Sequence, residues 1–420
     1  MRQKLLVSSF GMLLLLAACA PGPGASAPDS EESGAPQGSG GAAAECLGEG
    51  TVIFSGWEAG PAEGDLLEQM IADFEERCPN ITVDYQPAAD YDAAMIANFS
   101  AATVPDTFYV NSTRAPEWID EGFLLPLDDY LSQAGVDVST FYPNYLDAFK
   151  GPDGQIYGLP KDASTLVLFY NPDMLEAAGV EPPTNWEELQ SAAEALTSDD
   201  VTGLCLQTGL DRALAFVYQA GGSIYNEDFT EVTFDSPETR EALDYYLSFF
   251  EKDTGQSPVE LGSDWCGQAF GEEKVAMTFE GNWLIPTLED TYPDVPFEMA
   301  EMPQGKEQAT LAFTVSYSIG ADSENPDAGW SLLSYLTGPE GMETWTSLGL
   351  ALPARSDVAV PEGRDALIAG NDYARPWRFT SGFGDVESAF NNAMTAAVEG
   401  TGGTDEIVQA TSEAAQGTVE

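Results

Sequence analysis

The sequence predicts an α/β fold in two lobes, each a mostly parallel β-sheet flanked by helices. The chain has 420 residues, more than the length at which one hydrophobic core keeps growing. Its composition is 43% hydrophobic, 11% aromatic and 20% charged, which is typical of a globular protein. Strand-like apolar runs alternate with amphipathic segments after residue 50, and the alternation begins again after residue 158.

In the first half of the folded region, strand-like apolar runs alternate with segments that have the apolar spacing of a helix. Three apolar runs have the length and residue types of strands, and each of the two segments between them can form a helix. The strands are predicted over 51–54, 81–85 and 106–110, and the helices over 65–77 and 92–101. This order requires right-handed crossovers, so the three strands should form a parallel sheet.

Polar and aromatic residues follow two of these strands. Trp57 and Glu58 come after the first strand, and Asn111 and Ser112 come after the third. Ligands of parallel sheets bind outside the carboxyl ends of the strands, so these four residues are candidate ligand contacts. Packing of Trp57 in the interior is the alternative.

The second half repeats the pattern from the apolar run 166–170 onward. The segment 184–187 follows two prolines and predicts a capping box, and Ser236 before Pro237 predicts an N-cap with proline at the first helical position. Asn325-Pro326 opens a further helix, which Gly338-Pro339 closes.

The first 45 residues indicate that the protein is exported, and they are not predicted to belong to the folded region. Arg2 and Lys4 precede an apolar stretch that is too short to span a bilayer as a stable anchor, so residues 1–18 are predicted to be a signal peptide. Residues 16–19 resemble a bacterial lipobox, which makes Cys19 the predicted lipidation site; an ordinary signal peptide is the alternative. Residues 19–45 are rich in Ala, Gly, Pro and Ser and predict a disordered tether.

Charge excludes several classes of partner and catalyst. The chain has 70 acidic and 15 basic residues, a net charge of -55, which excludes nucleic acid and anionic membrane surfaces as partners. It contains no histidine, which excludes Ser-His-Asp and Cys-His nucleophile arrangements and any His-ligated metal. We expect no cofactor and no metal site.

Four cysteines remain if Cys19 carries a lipid, and four cysteines allow three connectivities. Cys46 and Cys78 each precede a predicted strand, so a bridge between them is reasonable if those strands are adjacent and parallel. Cys205 and Cys266 would then pair in the second lobe. No CxxC spacing occurs, so structural disulfides are favoured over a metal or redox motif.

Several segments together resemble the family 1 extracellular solute-binding proteins of ABC importers. They are Phe169-Tyr-Asn-Pro-Asp-Met-Leu175, Ala178-Gly179, Pro183-Thr-Asn-Trp-Glu-Glu-Leu189, Gly221-Gly222, Gln268-Ala-Phe270, Lys274-Val-Ala-Met277, Phe279-Glu-Gly-Asn-Trp283 and the stretch 326–336. Each segment is degenerate alone, whereas their order and spacing are specific. The resemblance extends over nearly all of residues 50–400.

The resemblance implies a two-lobed periplasmic-binding-protein fold of type II, maltose-binding-like, with a cleft between the lobes. By analogy with maltose-binding relatives, the N-lobe is expected over 46–165 plus 313–352 and the C-lobe over 166–312 plus 353–420. The family also implies a binding protein rather than an enzyme, outside the cytoplasm. It is expected to be monomeric, attached to the membrane through Cys19, and to deliver a neutral sugar or oligosaccharide to an ABC permease.

A sugar has apolar faces and a rim of hydroxyls, so its binding sites combine aromatic rings with polar side chains. The segment 280–283 is the leading candidate because Trp283 corresponds to a tryptophan that stacks on sugar in maltose-binding relatives; a core tryptophan is the alternative. The further candidates accompany Trp283, lie where the family contributes an aromatic residue, or flank the expected cleft. They are Glu280, Asn282, Lys161, Asp162, Asp211, Trp377 and Phe383.

Two other functions remain open at this point. The acidic composition would attract a cation such as a polyamine, which aromatic residues also bind. A secreted glycoside hydrolase would need only two carboxylates, and the chain has many, although no particular pair is indicated.

Overall fold

The computed structural model describes residues 46–57, 61–88, 90–347, 349 and 351–419. The predicted signal peptide, the tether with Cys19, and Glu58 lie outside the described residues. All further structural statements concern the described part of the chain.

Thirteen β-strands occur in the described residues. They are β1 (Gly50–Ser55), β2 (Ile81–Tyr85), β3 (Thr107–Asn111), β4 (Leu159–Pro160), β5 (Ser164–Thr165), β6 (Val167–Tyr170), β7 (Thr202–Cys205), β8 (Gly255–Gln256), β9 (Val275–Glu280), β10 (Glu298–Ala300), β11 (Thr310–Phe313), β12 (Val315–Ile319) and β13 (Ala374–Pro376).

Sixteen α-helices accompany these strands in the same residues. They are α1 (Pro61–Arg77), α2 (Tyr91–Ala101), α3 (Ala115–Asp120), α4 (Asp128–Ala134), α5 (Pro143–Leu146), α6 (Pro172–Ala178), α7 (Trp186–Leu196), α8 (Leu210–Gln219), α9 (Pro237–Glu251), α10 (Cys266–Gly271), α11 (Leu284–Thr291), α12 (Pro326–Thr337), α13 (Pro339–Thr346), α14 (Asp365–Ala369), α15 (Phe383–Val398) and α16 (Thr404–Gln416). Within the described segments, none of the helices combines the length and apolar character that crossing a bilayer requires.

The first large sheet has the strand order β2-β1-β3-β12-β4. β1 pairs in parallel with β2 and β3, while β12 runs antiparallel to β3 and β4. The parallel arrangement of β1, β2 and β3 is therefore confirmed, and each strand begins and ends within one residue of its predicted bounds. The predicted helices are also present, and α1 begins four residues earlier than predicted, at Pro61.

The second large sheet has the strand order β10-β6-β9-β7-β8. β7 pairs in parallel with β8 and β9, and β6 is antiparallel to β9 and β10. The predicted strand over 166–170 is confirmed as β6. β7 ends at Cys205, so Gln207 lies in the following loop rather than in the sheet.

A small third sheet has the strand order β13-β11-β5, and two of its strands, β5 and β11, lie in the chain between strands of the large sheets. β5 lies between β4 of the first sheet and β6 of the second, and Thr314 alone separates β11 from β12. The chain thus passes between the large sheets near residues 165 and 314. The lobe boundaries expected at 165 and 312 fall in this small sheet, and together with the one at 353 they stay a prediction.

Two disulfides join the cysteine pairs expected from the sequence. Cys46–Cys78 connects the segments that lead into the adjacent strands β1 and β2. Cys205–Cys266 connects the last residue of β7 to the first residue of α10. The pairing of Cys46 with Cys78 follows from topology, because parallel neighbouring strands place their starts side by side.

Helix starts confirm one prediction and correct another. Ser236 accepts a hydrogen bond from the backbone N–H of Thr239, as predicted for the N-cap of α9. The capping box predicted over 184–187 is wrong by one residue: Asn185 is the N-cap of α7 and accepts from the N–H of Glu188, whose carboxylate accepts from the N–H of Thr184. Asparagine caps a helix as well as threonine does, so the sequence alone did not fix the register.

Buried Asp106 ties the first sheet together just before β3. Its carboxylate accepts hydrogen bonds from the N–H of Ile53 in β1 at 2.9 Å, from the hydroxyl of Ser323 at 2.5 Å and from the N–H of Asn325 at 3.3 Å. Hydrogen bonds to a charged acceptor are the stronger kind. Asp106 thus joins β1 to the start of α12 beside β3, and the carboxyl ends of β1 and β3 lead to Trp57 and Asn111.

Candidate ligand-binding cavity

A cavity of about 960 Å³ lies where the carboxyl ends of strands from both large sheets meet. Trp57 and Asn111 reach it from the ends of β1 and β3 in the first sheet, and Asp211 and Asn282 reach it from beyond β7 and β9 in the second. Phe313 of the small sheet also lies in the wall. This position agrees with the general rule for ligands of parallel sheets.

Nine of the twelve predicted contact residues lie in the cavity wall. They are Trp57, Asn111, Ser112, Lys161, Asp162, Asp211, Asn282, Trp283 and Trp377. Glu280 and Phe383 are not among the lining residues, and Glu58 lies outside the described residues. The role of each lining residue as a ligand contact stays a prediction.

Glu280 lies behind the wall rather than in it, because three donors hold its carboxylate in the interior. Its side chain is 0% exposed and accepts hydrogen bonds from Gln207 at 2.9 Å and from the indole Nε1 of Trp283 at 2.8 Å. Arg212 Nη2 donates the third at 2.6 Å. The geometry makes Glu280 a residue that positions Trp283.

Phe383 also supports a neighbour instead of facing the cavity. Its buried ring stacks on Phe379, with centroids 3.7 Å apart, and contacts the ring of Trp377 edge to face at 6.0 Å. The aromatic pair therefore backs Trp377, whose carbonyl accepts a hydrogen bond from the hydroxyl of Ser112 at 2.7 Å. Trp377 is held from both sides, by the first sheet and by the start of α15.

Arg212 is a buried cation between two carboxylates. It is 7% exposed, and it contacts Asp211 and Glu280 at 2.6 Å each while its Nε donates to the carbonyl of Phe279 at 3.1 Å. Burial acts to lower the pKa of Arg212, but the charges of Glu280 and Asp211 outweigh it, so the pKa is raised and the guanidinium stays charged.

Trp283 is fixed in orientation by this ion pair and by its aromatic neighbour. The guanidinium of Arg212 lies 5.2 Å from the ring centroid, and the ring of Phe313 meets it edge to face at 5.5 Å and 85°. Gly281 leaves room for the ring, since a Cβ at that position would come within 2.4 Å of it. Trp283 is half-buried and lies in the cavity wall, so it is not enclosed in the core.

Lys161 plays the corresponding part for the first sheet. Its side chain is only 4% exposed, and its ammonium group lies 2.5 Å from Asp162 and 3.8 Å from Glu63. The rings of Trp345 and Tyr109 lie 4.2 Å and 5.0 Å from the same ammonium. Such a cation holds two carboxylates at the cavity while its own charge is satisfied.

A carboxylate that the sequence analysis missed faces the cavity from α15. Burial raises the pKa of Glu387 above its usual value, the negative charge of nearby Asp211 raises it further, and Arg114 opposes the shift. Arg114 is itself paired with Asp92 at 2.9 Å and Glu117 at 3.6 Å. Glu387 is therefore ionised at a cost in the folded protein.

Other lining residues were also missed, among them Glu63, Trp265, Phe313 and Trp345. Glu63 could have been found, because it lies in the first turn of α1, the helix that follows β1 in the chain. Phe313 and Trp345 lie in the part of the chain that returns to the first sheet, in β11 and α13. No local sequence pattern predicts that this part contacts the cavity. Within the described residues, no group of three or more metal-ligating side chains comes together.

Two sheets whose strand ends share one aromatic and polar cavity define a two-lobed solute-binding protein. Comparison with known proteins agrees. Residues 59–343 match the family model of bacterial extracellular solute-binding proteins, so the chain belongs to that family. The predicted type II, maltose-binding-like fold is confirmed by the solved structures that the chain resembles.

Three relatives illustrate the similarity. An ABC substrate-binding protein of Listeria monocytogenes, solved in complex with cycloalternan, has a TM-score of 0.80 at 25% identity over 88% of this chain and 99% of that one. A binding protein of Brucella abortus is 26% identical over 74% of this chain and 77% of its own length. The galactooligosaccharide-binding protein of Bacillus subtilis is 23% identical over 76% of each chain.

We predict that Arg212→Met lowers the free energy of unfolding by about 3–5 kcal/mol, because it leaves Glu280 charged and buried without its cation. Urea unfolding followed by tryptophan fluorescence measures the loss. Arg240→Met is the matched control, since Arg240 pairs with Asp235 and Asp405 at the exposed surface and its removal should change little. Equal losses in the two variants would contradict the assignment.

Glu387 predicts a pH-dependent difference. Its pKa is higher in the folded protein than in the unfolded chain, so the wild type loses stability relative to Glu387→Gln as pH rises through the folded pKa. The variant should be the more stable form at neutral pH, and the difference should vanish below the usual pKa of 4.5. Urea midpoints across this pH range test this, with Glu362→Gln at an exposed site as the control. A difference that persists in acid would disprove it.

Proposed function

We propose that the protein is the substrate-binding lipoprotein of an ABC importer, which captures a neutral sugar or oligosaccharide in the cavity and passes it unchanged to a membrane permease. Membership of the solute-binding family supports the transport role and an extracytoplasmic location. The Listeria relative was solved with a cyclic saccharide, and the Bacillus relative is named for galactooligosaccharides, which supports a sugar as ligand.

The composition of the cavity wall is the observation that carries the proposal. Five of the eight tryptophans in the chain line the cavity: Trp57, Trp265, Trp283, Trp345 and Trp377. Flat indole surfaces suit the apolar faces of sugar rings, and the interleaved side chains of Asn111, Asn282 and Asp162 suit hydroxyls.

The size of the cavity favours more than one sugar ring. Its volume of about 960 Å³ lies at the upper end of the usual range for small-molecule sites, about 300–1,000 Å³. A single hexose would leave much of the aromatic wall uncovered, whereas an oligosaccharide would contact rings from both large sheets.

A cation such as a polyamine is the second candidate, because the wall is acidic. Among the described residues, five acids line it, against one lining cation, Lys161. The acids are Glu63, Asp162, Asp211, Asp290 and Glu387. A ligand held by net charge loses affinity as salt screens the attraction, whereas a neutral sugar does not.

We expect a neutral saccharide to bind, and Trp283→Ala to weaken it about 10- to 100-fold, because burial of one indole face contributes about 1.5–3 kcal/mol. Isothermal titration with maltotriose, mannotriose, cycloalternan and spermidine identifies the binder. The dissociation constant should change less than about twofold between low and high salt. Trp186→Phe is the control, since Trp186 stacks on Tyr245 outside the cavity.

Binding of spermidine alone, with steep salt dependence, would show that the ligand is a cation rather than a sugar. Release of reducing ends from a bound saccharide would replace the binding protein by a hydrolase. Loss of affinity in the Trp186 control equal to that of Trp283→Ala would remove the cavity assignment.

The lipid anchor is tested separately. Cys19→Ser removes the thiol that the lipid would modify, so the variant should move from the membrane fraction to the medium in a producing bacterial strain. Fractionation followed by immunoblotting measures the distribution. A variant that stays with the membranes to the same extent as the wild type would refute the anchor.

A further inference from the structure

The two disulfides lie at different distances from the cavity along their strands. Cys46–Cys78 joins the segments before β1 and β2, whereas the lining residue Trp57 follows the other end of β1. Cys205–Cys266 is at the carboxyl end of β7, the edge that the cavity occupies, and both of its cysteines are fully buried. Only this second bridge adjoins a lining residue, Trp265, among the described residues.

Trp265 precedes Cys266 directly and is half-buried in the cavity wall. Its backbone is extended, with φ of -156° and ψ of 167°, and α10 begins at the next residue. The indole ring crosses over Gly267 so closely that a Cβ there would come within 2.2 Å of it. The position of the Trp265 ring therefore depends on the position of the first turn of α10.

The chain before Trp265 gives that turn little regular support. Residues 257–264 contain no helix or strand, and Val259 within them is 86% exposed. The ammonium of Lys274 donates to the carbonyl of Leu261 at 2.8 Å and to the hydroxyl of Ser263 at 3.1 Å, and it is half exposed. The disulfide adds a covalent cross-link from the first residue of α10 to the end of β7 in the second sheet.

We propose that the Cys205–Cys266 disulfide positions Trp265 as part of the cavity wall and that ligand affinity depends on the bridge through this ring. The claim that ligand affinity depends on the bridge rests on the proposed function, whereas the claim that the bridge positions Trp265 does not. Cys46–Cys78 then serves stability alone, and the two bridges in one chain form a matched pair for comparison.

Two double variants, C205A/C266A and C46A/C78A, test the proposal together with W265A. Each is first shown to be folded by circular dichroism. Hydrogen exchange, followed by mass spectrometry without added ligand, then measures protection of the peptide 257–272. C205A/C266A should raise exchange in that peptide at least about tenfold, and C46A/C78A should leave it unchanged. Unchanged exchange in C205A/C266A would overturn the proposal.

Affinity provides the second measurement, with maltotriose or mannotriose as the probe, whichever the wild type binds. C205A/C266A and W265A should each weaken binding at least about tenfold, and C46A/C78A less than about twofold. Combining W265A with C205A/C266A should add little, because both changes remove the same contact. Additive losses, or an equal loss in C46A/C78A, would show that the bridge does not act through Trp265.

Failure of the proposed function has a different appearance. A wild type that binds none of maltotriose, mannotriose and cycloalternan contradicts the proposed function, and the exchange measurement then decides the positioning of Trp265 by itself. If C205A/C266A does not fold, C205A/C266V refills part of the buried volume of the sulfur atoms and is measured in the same way.

Discussion

The buried ion pair of Arg212 and Glu280 is the interaction on which the second half of the cavity depends. One guanidinium, 7% exposed, links Asp211 in the cavity wall, Glu280 at the end of β9 and the face of Trp283. Replacing such a pair by apolar side chains often preserves stability, so stability alone does not explain its presence. What the pair provides here is orientation, because the indole Nε1 of Trp283 needs a fixed acceptor if its face is to meet a ligand.

Lys161 gives the first half of the cavity the same construction. Both cations lie beside the carboxyl end of a strand and contact an aromatic ring. Arg212 holds one carboxylate that lines the cavity, Asp211, and Lys161 holds two, Asp162 and Glu63. The small sheet β5-β11-β13 brings the two halves together, with Phe313 of β11 meeting Trp283 from the second half and Trp377 at 5.7 Å.

Sequence patterns predicted the fold better than they predicted the site. Alternation of strands and helices gave β1 to β3, and the neighbouring starts of β1 and β2 gave the Cys46–Cys78 bridge, because both are set by local period and chain order. The carboxyl-end rule placed Trp57 and Asn111 correctly in the wall. Glu280 was placed on the wrong side of it, since its partner Arg212 is 68 residues away in sequence and no local pattern indicates that contact. Trp345 was missed because α13 returns to the first sheet only through tertiary packing.

The pairing of the acidic side chains at the cavity with buried cations determines whether the cavity suits a charged or an uncharged ligand. The chain has 15 basic residues, and two of the most buried, Lys161 and Arg212, are committed to acids at the cavity. Each cation neutralises part of the charge of its carboxylates but leaves their remaining lone pairs able to accept hydrogen bonds. Compensated carboxylates suit hydroxyl donors better than a free cation, because a cation would have to compete with an ammonium or guanidinium already in contact. Two other lining acids differ from these: Asp290 is exposed to solvent, and burial raises the pKa of Glu387, which disfavours its charged form. A surplus of 70 acids over 15 bases in the whole chain can therefore coexist with a site for an uncharged ligand.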